Sequence, residues 1–217
     1  MMAGILKRQW LRIAVHVGAW IPFAVIVRDT LTNQLSAEPI RDITLRTGKT
    51  ALVLLILSLA CTPANSLFGF RPALKVRRTL GLYAFFYALA HAVMFFVIDY
   101  ALDLGLLEGA VLEKPYALVG AGAFLILFVL ALTSTRGWMK RLGRGWTQLH
   151  YGIYVAALLV IVHFVWLVNL DVREPLTFGA IVVGLLLLRL GWVREWISRF
   201  RSRFRVLGVR NATRLPE

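Results

Sequence analysis

A single cysteine, Cys61, stands in this chain of 217 residues. It has no partner, so an internal disulfide is excluded, and no C-x-x-C or mixed Cys/His pattern offers a zinc site. Charge is scarce too, at 17% of residues, where a soluble domain carries about a quarter. Acids are the rarer sign, 11 against 25 Lys and Arg. No G-x-S-x-G occurs, which removes support for Ser/His/Asp nucleophilic catalysis. No G-x-G-x-x-G follows a strand pattern, so a fused nucleotide-binding domain is not expected. Internal repeats, low-complexity tracts and long linkers are not evident, and residues 1–217 read as one domain.

What the chain has instead is apolar sequence, 59% by count. A spanning helix needs about 20 mostly apolar residues. Six runs qualify, at 10–27, 50–68, 79–100, 116–135, 147–169 and 176–196. The expected fold is an all-α membrane protein, a six-transmembrane-helix bundle. The first run follows a basic start as a signal peptide would, but it lacks an A-x-A cleavage site and carries His16, Trp20 and Pro22, so it reads as a retained helix. Pro63 is expected to break or kink the second helix, which reads as the shortest, and Pro115 and Pro175 sit where helices start.

The charges alternate between loops. The N-terminus, the second and fourth loops and the tail hold 19 basic residues against Glu195 and Glu217; the other loops hold six basic residues and nine acids, among them Asp99, Asp103, Glu108 and Glu113. The positive-inside rule then places both termini in the cytoplasm. Topology alone accounts for the net charge of +14, so no nucleic-acid partner is expected. The basic tail 197–217 is expected to lie against the anionic headgroups of the bilayer. Trp10, Trp138, Trp146, Trp192 and Trp196 near inner boundaries and Trp166 near an outer one read as interface belts.

All four histidines fall inside these spans, where polar groups are costly and face the bundle interior. Measured along its helix from the cytoplasmic side, His91 lies ~18 Å in and His163 ~24 Å in, both in the outer half. His150 and His16 belong to the inner half. Imidazole ligates haem iron, and bundle cores hold cofactors between facing helices. His91 and His163 form the expected pair. His150 lies ~19.5 Å inward of His163 along the helix axis. Thirteen residues do not return a helix to the same face, so either a bulge adjusts helix five or the two histidines face different neighbours. Zinc would need three or four ligands in one place. A proton relay would commonly include buried carboxylates, and helices three and five offer none near their histidines. The rival classes are a histidine-based proton or ion transporter and a membrane anchor subunit.

"RRTLGLYAFFYALAHAVMFF" from Arg77 and "ALTSTRGWMKRLGRGWTQLHYGIYVAALLVIVHFVW" from Ala131, with "VHVGAWIPF", "DITLRTGKTAL" and "ACTPAN", carry a specific resemblance. The chain resembles the haem-binding membrane subunits of periplasmic methionine sulfoxide reductase systems, within the ferric-reductase-like transmembrane group. The resemblance covers nearly the whole chain. It implies a b-type cytochrome of the bacterial inner membrane with one or two haems b. His91, His150 and His163 would be the haem-iron ligands, while His16 falls in a matching segment with a less defined role. The implied partner is a periplasmic molybdopterin-containing methionine sulfoxide reductase. That partner holds the catalytic site and returns oxidised methionines to the thioether. The resemblance also implies FMN. Arg77 and Arg78 would then hold its phosphate through charge-assisted hydrogen bonds, or would serve topology alone. Electrons would come from the quinol pool or from a cytoplasmic flavin reductase.

Overall fold

A computed structural model describes residues 2–103, 105, 114–168, 171–190 and 193, with side chains from residue 9 onward. Its described elements are helical: α1 Met2–Leu31, α2 Pro39–Phe68, α3 Pro72–Val93 with a π-helical extension Met94–Asp99, α4 Pro115–Leu132, α5 Arg136–Leu142, α6 Arg144–His150, α7 Gly152–Leu167 and α8 Arg173–Leu187. Among the described residues five stretches are long and apolar enough to cross a membrane: Gln9–Leu31, Pro39–Phe68, Pro72–Asp99, Pro115–Leu132 and Arg144–Leu167. The sixth expected span, 176–196, begins as α8. Residues 191, 192 and 194–196 lie outside the described residues, as do Trp192, Trp196, Glu108, Glu113 and the basic tail.

Helix α2 differs most from the sequence expectation. It starts at Pro39 rather than Thr50 and reaches 30 residues, about 45 Å. The reason is charge pairing. Arg46 lies in the early turns of α2 and donates to Asp42 at 2.8 and 3.0 Å and to Asp29 of α1 at 2.6 Å. Arg28 holds the other oxygen of Asp29 at 2.7 Å, and Asp29 is only 5% exposed. Lys49 pairs with Glu174 of α8. Charges that read as loop are thereby satisfied within helices, and they clasp α1, α2 and α8 at one end of the bundle.

Pro63 does not end α2. The helix runs on to Phe68, and the left-handed Gly69 (φ 68°) closes it by donating to Asn65 while Phe70 donates to Ala64. The proline does remove the amide that would bond the Leu59 carbonyl, and the Arg189 guanidinium donates to that carbonyl instead. Pro22 has a similar neighbour in α1. There the Tyr87 hydroxyl of α3 donates to the Ala19 carbonyl at 2.6 Å and accepts from the Phe23 amide at 3.1 Å.

The principal packing partners are α2 with α3 and α4 with α7. Two antiparallel hairpins therefore form the body of the bundle. They meet where α3 touches α4, with α1 against α3 and α8 against α7 and α2. Small residues permit the close approaches: Ala84, Ala123, Ala156 and Ala157 are at most 1% exposed. The outward faces carry Trp20, Phe86, Leu125 and Val155, a surface suited to lipid. Trp146, near the expected inner boundary, also has specific partners. Its indole donates to the Thr133 carbonyl at 2.9 Å and stacks on His150.

Candidate haem site between two helical hairpins

His91 sits in the last turn of α3 and His163 in the last turns of α7. The structure brings the two rings together, with centroids 6.1 Å apart and planes at 86° to each other. Each ring is held from behind in the same way. The Nδ1–H of His91 donates to the Thr44 carbonyl of α2 at 2.8 Å, and that of His163 to the Tyr116 carbonyl of α4 at 2.7 Å. A carbonyl only accepts, so this bond places the ring proton on Nδ1 and leaves the Nε2 lone pair available.

Two glycines complete the setting. A Cβ on Gly48 would lie 2.9 Å from Nδ1 of His91, and one on Gly120 would lie 2.6 Å from Nδ1 of His163. Both rings therefore lie against bare backbone. The Tyr116 ring meets His163 edge to face at 5.8 Å. Among the described residues no three His, Cys, Asp or Glu side chains converge as a metal cluster. A two-imidazole donor set is the arrangement a haem asks of a protein, because the porphyrin supplies the other four nitrogens. Metal–imidazole bonds are about 2.0–2.1 Å, so two imidazoles on opposite sides of one iron have ring centres about 6 Å apart. The observed separation and the paired Nδ1 bonds fit that group.

The other sequence candidates stay apart from this pair. His150 is the last residue of α6. Its Nδ1 lies 3.0 Å from the Trp146 carbonyl, its Nε2 3.5 Å from the Ser134 hydroxyl, and its ring stacks on Trp146 at 3.9 Å. The helix breaks at Tyr151 between α6 and α7, where Tyr151 and Tyr154 each bond a carbonyl three residues back. This tightening resolves the thirteen-residue mismatch: His150 and His163 lie on separate helices and have different neighbours. His16 is exposed and bonds the Tyr83 hydroxyl at 2.8 Å, so it is engaged separately from His150. Arg77 reaches the Thr62 hydroxyl at 3.3 Å, and Arg77 and Arg78 are both exposed. Outside the spans, donation to the Tyr100 hydroxyl raises the pKa of the Lys114 ammonium.

Sequence reasoning missed Thr44, Gly48, Tyr116 and Gly120. A signal was present. Each histidine follows its carbonyl partner by 47 residues, and each glycine stands four residues after that partner.

Residues 47–161 match the family described as the ferric reductase like transmembrane component. Among curated proteins, the chain is 42% identical over 188 residues to the protein-methionine-sulfoxide reductase heme-binding subunit MsrQ of Xanthomonas axonopodis pv. citri, covering 84% of each chain. It is 40% identical over 191 residues to the subunit of the same name from Herminiimonas arsenicoxydans, covering 87% of each. With the facing histidines already defined by the fold, these similarities lead to one conclusion: the chain belongs to the MsrQ family of haem-binding subunits within the ferric-reductase-like transmembrane proteins.

Proposed function

We propose that this chain is a six-span b-type cytochrome of a bacterial inner membrane, with both termini cytoplasmic and with His91 and His163 as axial ligands of its haem iron. It carries electrons outward, from the quinol pool or a cytoplasmic flavin reductase, to a periplasmic molybdopterin-dependent methionine sulfoxide reductase. The observation that carries this reading is the 6.1 Å pairing of two rings whose Nδ1 atoms are both committed to carbonyls. The charge asymmetry of the loops supports the orientation, and the relatives' printed name supports the assignment to methionine sulfoxide reduction.

A bound haem would supply a one-electron iron couple, and His91 and His163 are the residues that would hold it. The chain's own residues do the rest. Thr44 and Tyr116 fix the tautomer of each imidazole and orient its lone pair. His150 serves an inner haem or an alternative site. Early in α3, Arg77 and Arg78 would hold an FMN phosphate. Neither basic residue has an ion-pair partner among the described residues, which leaves them available to an anion.

The deciding experiment is a reduced-minus-oxidised visible spectrum of the detergent-purified chain, with haem quantified per polypeptide. Bis-histidine b-haem bands are expected, and the stoichiometry tells whether His150 has a haem of its own. A colourless protein made with ample haem would overturn the reading and favour the proton or ion transporter. Haem-independent support of the partner's activity would favour a plain anchor.

A further inference from the structure

We infer that Gly48 with the Thr44 carbonyl, and Gly120 with the Tyr116 carbonyl, are two copies of one imidazole cradle that hold the His91 and His163 rings perpendicular to each other. This rests on the bis-histidine reading above. His163 follows His91 by 72 residues, as Gly120 follows Gly48 and Tyr116 follows Thr44. The same offset joins Ser134 to Thr62, and these two hydroxyls meet His150 and Arg77 at the other end of the hairpins. The α2–α3 and α4–α7 hairpins thus repeat one spacing of glycine and histidine, although no more extended repeat is evident in the sequence.

Each cradle works by exclusion and attraction together. The carbonyl fixes the Nδ1 edge at 2.8 or 2.7 Å. The glycine four residues later leaves room for the ring to lie on helix backbone; an added methyl would come within 2.9 Å of one ring and 2.6 Å of the other. A ring held on both sides cannot spin about its Cβ–Cγ bond. Because the cradles belong to different hairpins, the ring planes meet at 86°. Perpendicular imidazoles donate π density into two different iron d orbitals and keep them nearly equal in energy. Parallel imidazoles load one orbital and split the pair. The cradles therefore set an electronic property of the iron through backbone groups alone.

The test is the low-temperature EPR spectrum of the oxidised, detergent-purified chain. The wild type is expected to give the strongly anisotropic low-spin signal with a single large-g feature that perpendicular planes produce. Gly48→Ala and Gly120→Ala are expected to convert it to the three-line rhombic signal, or to weaken haem retention by about 10- to 100-fold, the range seen when outer-shell support is lost. Gly122→Ala is the control, since a Cβ there meets nothing within 4 Å, and it should match the wild type. The wild-type spectrum tests the ring planes without any substitution, so a variant that fails to fold leaves the inference open to refutation. A rhombic wild-type signal, or cradle variants identical to wild type in signal and haem retention, would overturn it while leaving bis-histidine ligation standing. Absence of haem, or full haem content in His91→Ala, would overturn the ligation reading itself.

Discussion

Arg189 donates to the backbone carbonyl of Leu59, the acceptor that Pro63 leaves without its helical donor. The same guanidinium donates to the Tyr154 hydroxyl at 2.6 Å and lies over its ring at 5.1 Å. One side chain beyond the end of α8 therefore joins α2, which backs His91, to α7, which carries His163. A proline tolerated inside a helix thus has its explanation in a cation more than a hundred residues away.

Removing that cation should be costly. Arg189→Ala leaves the Leu59 carbonyl without a donor, and an unmet buried acceptor costs about 1–3 kcal/mol. Arg189→Lys should recover only part of the loss, because a single ammonium lacks the planar fork that reaches both acceptors. Thermal unfolding in detergent measures this; equal midpoints for wild type and Arg189→Ala would refute the role.

Tyr87 should matter through its hydroxyl alone. Tyr87→Phe keeps the ring, which is 7% exposed, but deletes the oxygen that bridges the Ala19 carbonyl and the Phe23 amide beside Pro22. The expected loss is about 1–3 kcal/mol, with weaker anchoring of α1 to α3. A stability unchanged from wild type would mean that Ala19 and Phe23 close their own helical bond when the hydroxyl is gone.

The histidines should separate into two classes. His91→Ala and His163→Ala each remove one half of the facing pair and should abolish most haem binding. His16→Ala deletes only the Tyr83 contact and should leave haem content within error of wild type. Haem quantification per chain reports all three, and parallel loss in the His16 variant would contradict the separation.

Arg77 and Arg78 should separate flavin from haem. Replacing both with Gln should lower FMN content several-fold and leave haem at the His91–His163 pair intact. Flavin content that does not change would reduce the two arginines to topology residues.

Some of this was legible in the linear chain, and particular residues show where legibility stops. The apolar runs around Ala84 and Ala156 announce buried membrane helices because hydropathy is a local property. Pro115 marked a helix start because the first turn has no use for its amide. The start of α2 at Pro39 was not readable. Arg46 looks like loop until Asp29, which pairs with it, is seen to return from another helix.

The sequence by itself determined that this is a helical membrane protein, that basic and acidic segments alternate along it, and that imidazoles lie within the apolar runs. Those properties depend on composition along short stretches of chain. Depth along the helices already paired His91 with His163; only the tertiary structure decided how closely the two rings approach, that His150 and His16 take other partners, and that Thr44 and Tyr116 hold the pair. Every residue carries a carbonyl, so nothing in its side chain marks it as a histidine's acceptor. That role is assigned by where two helices, 47 residues apart at the contact, come into register.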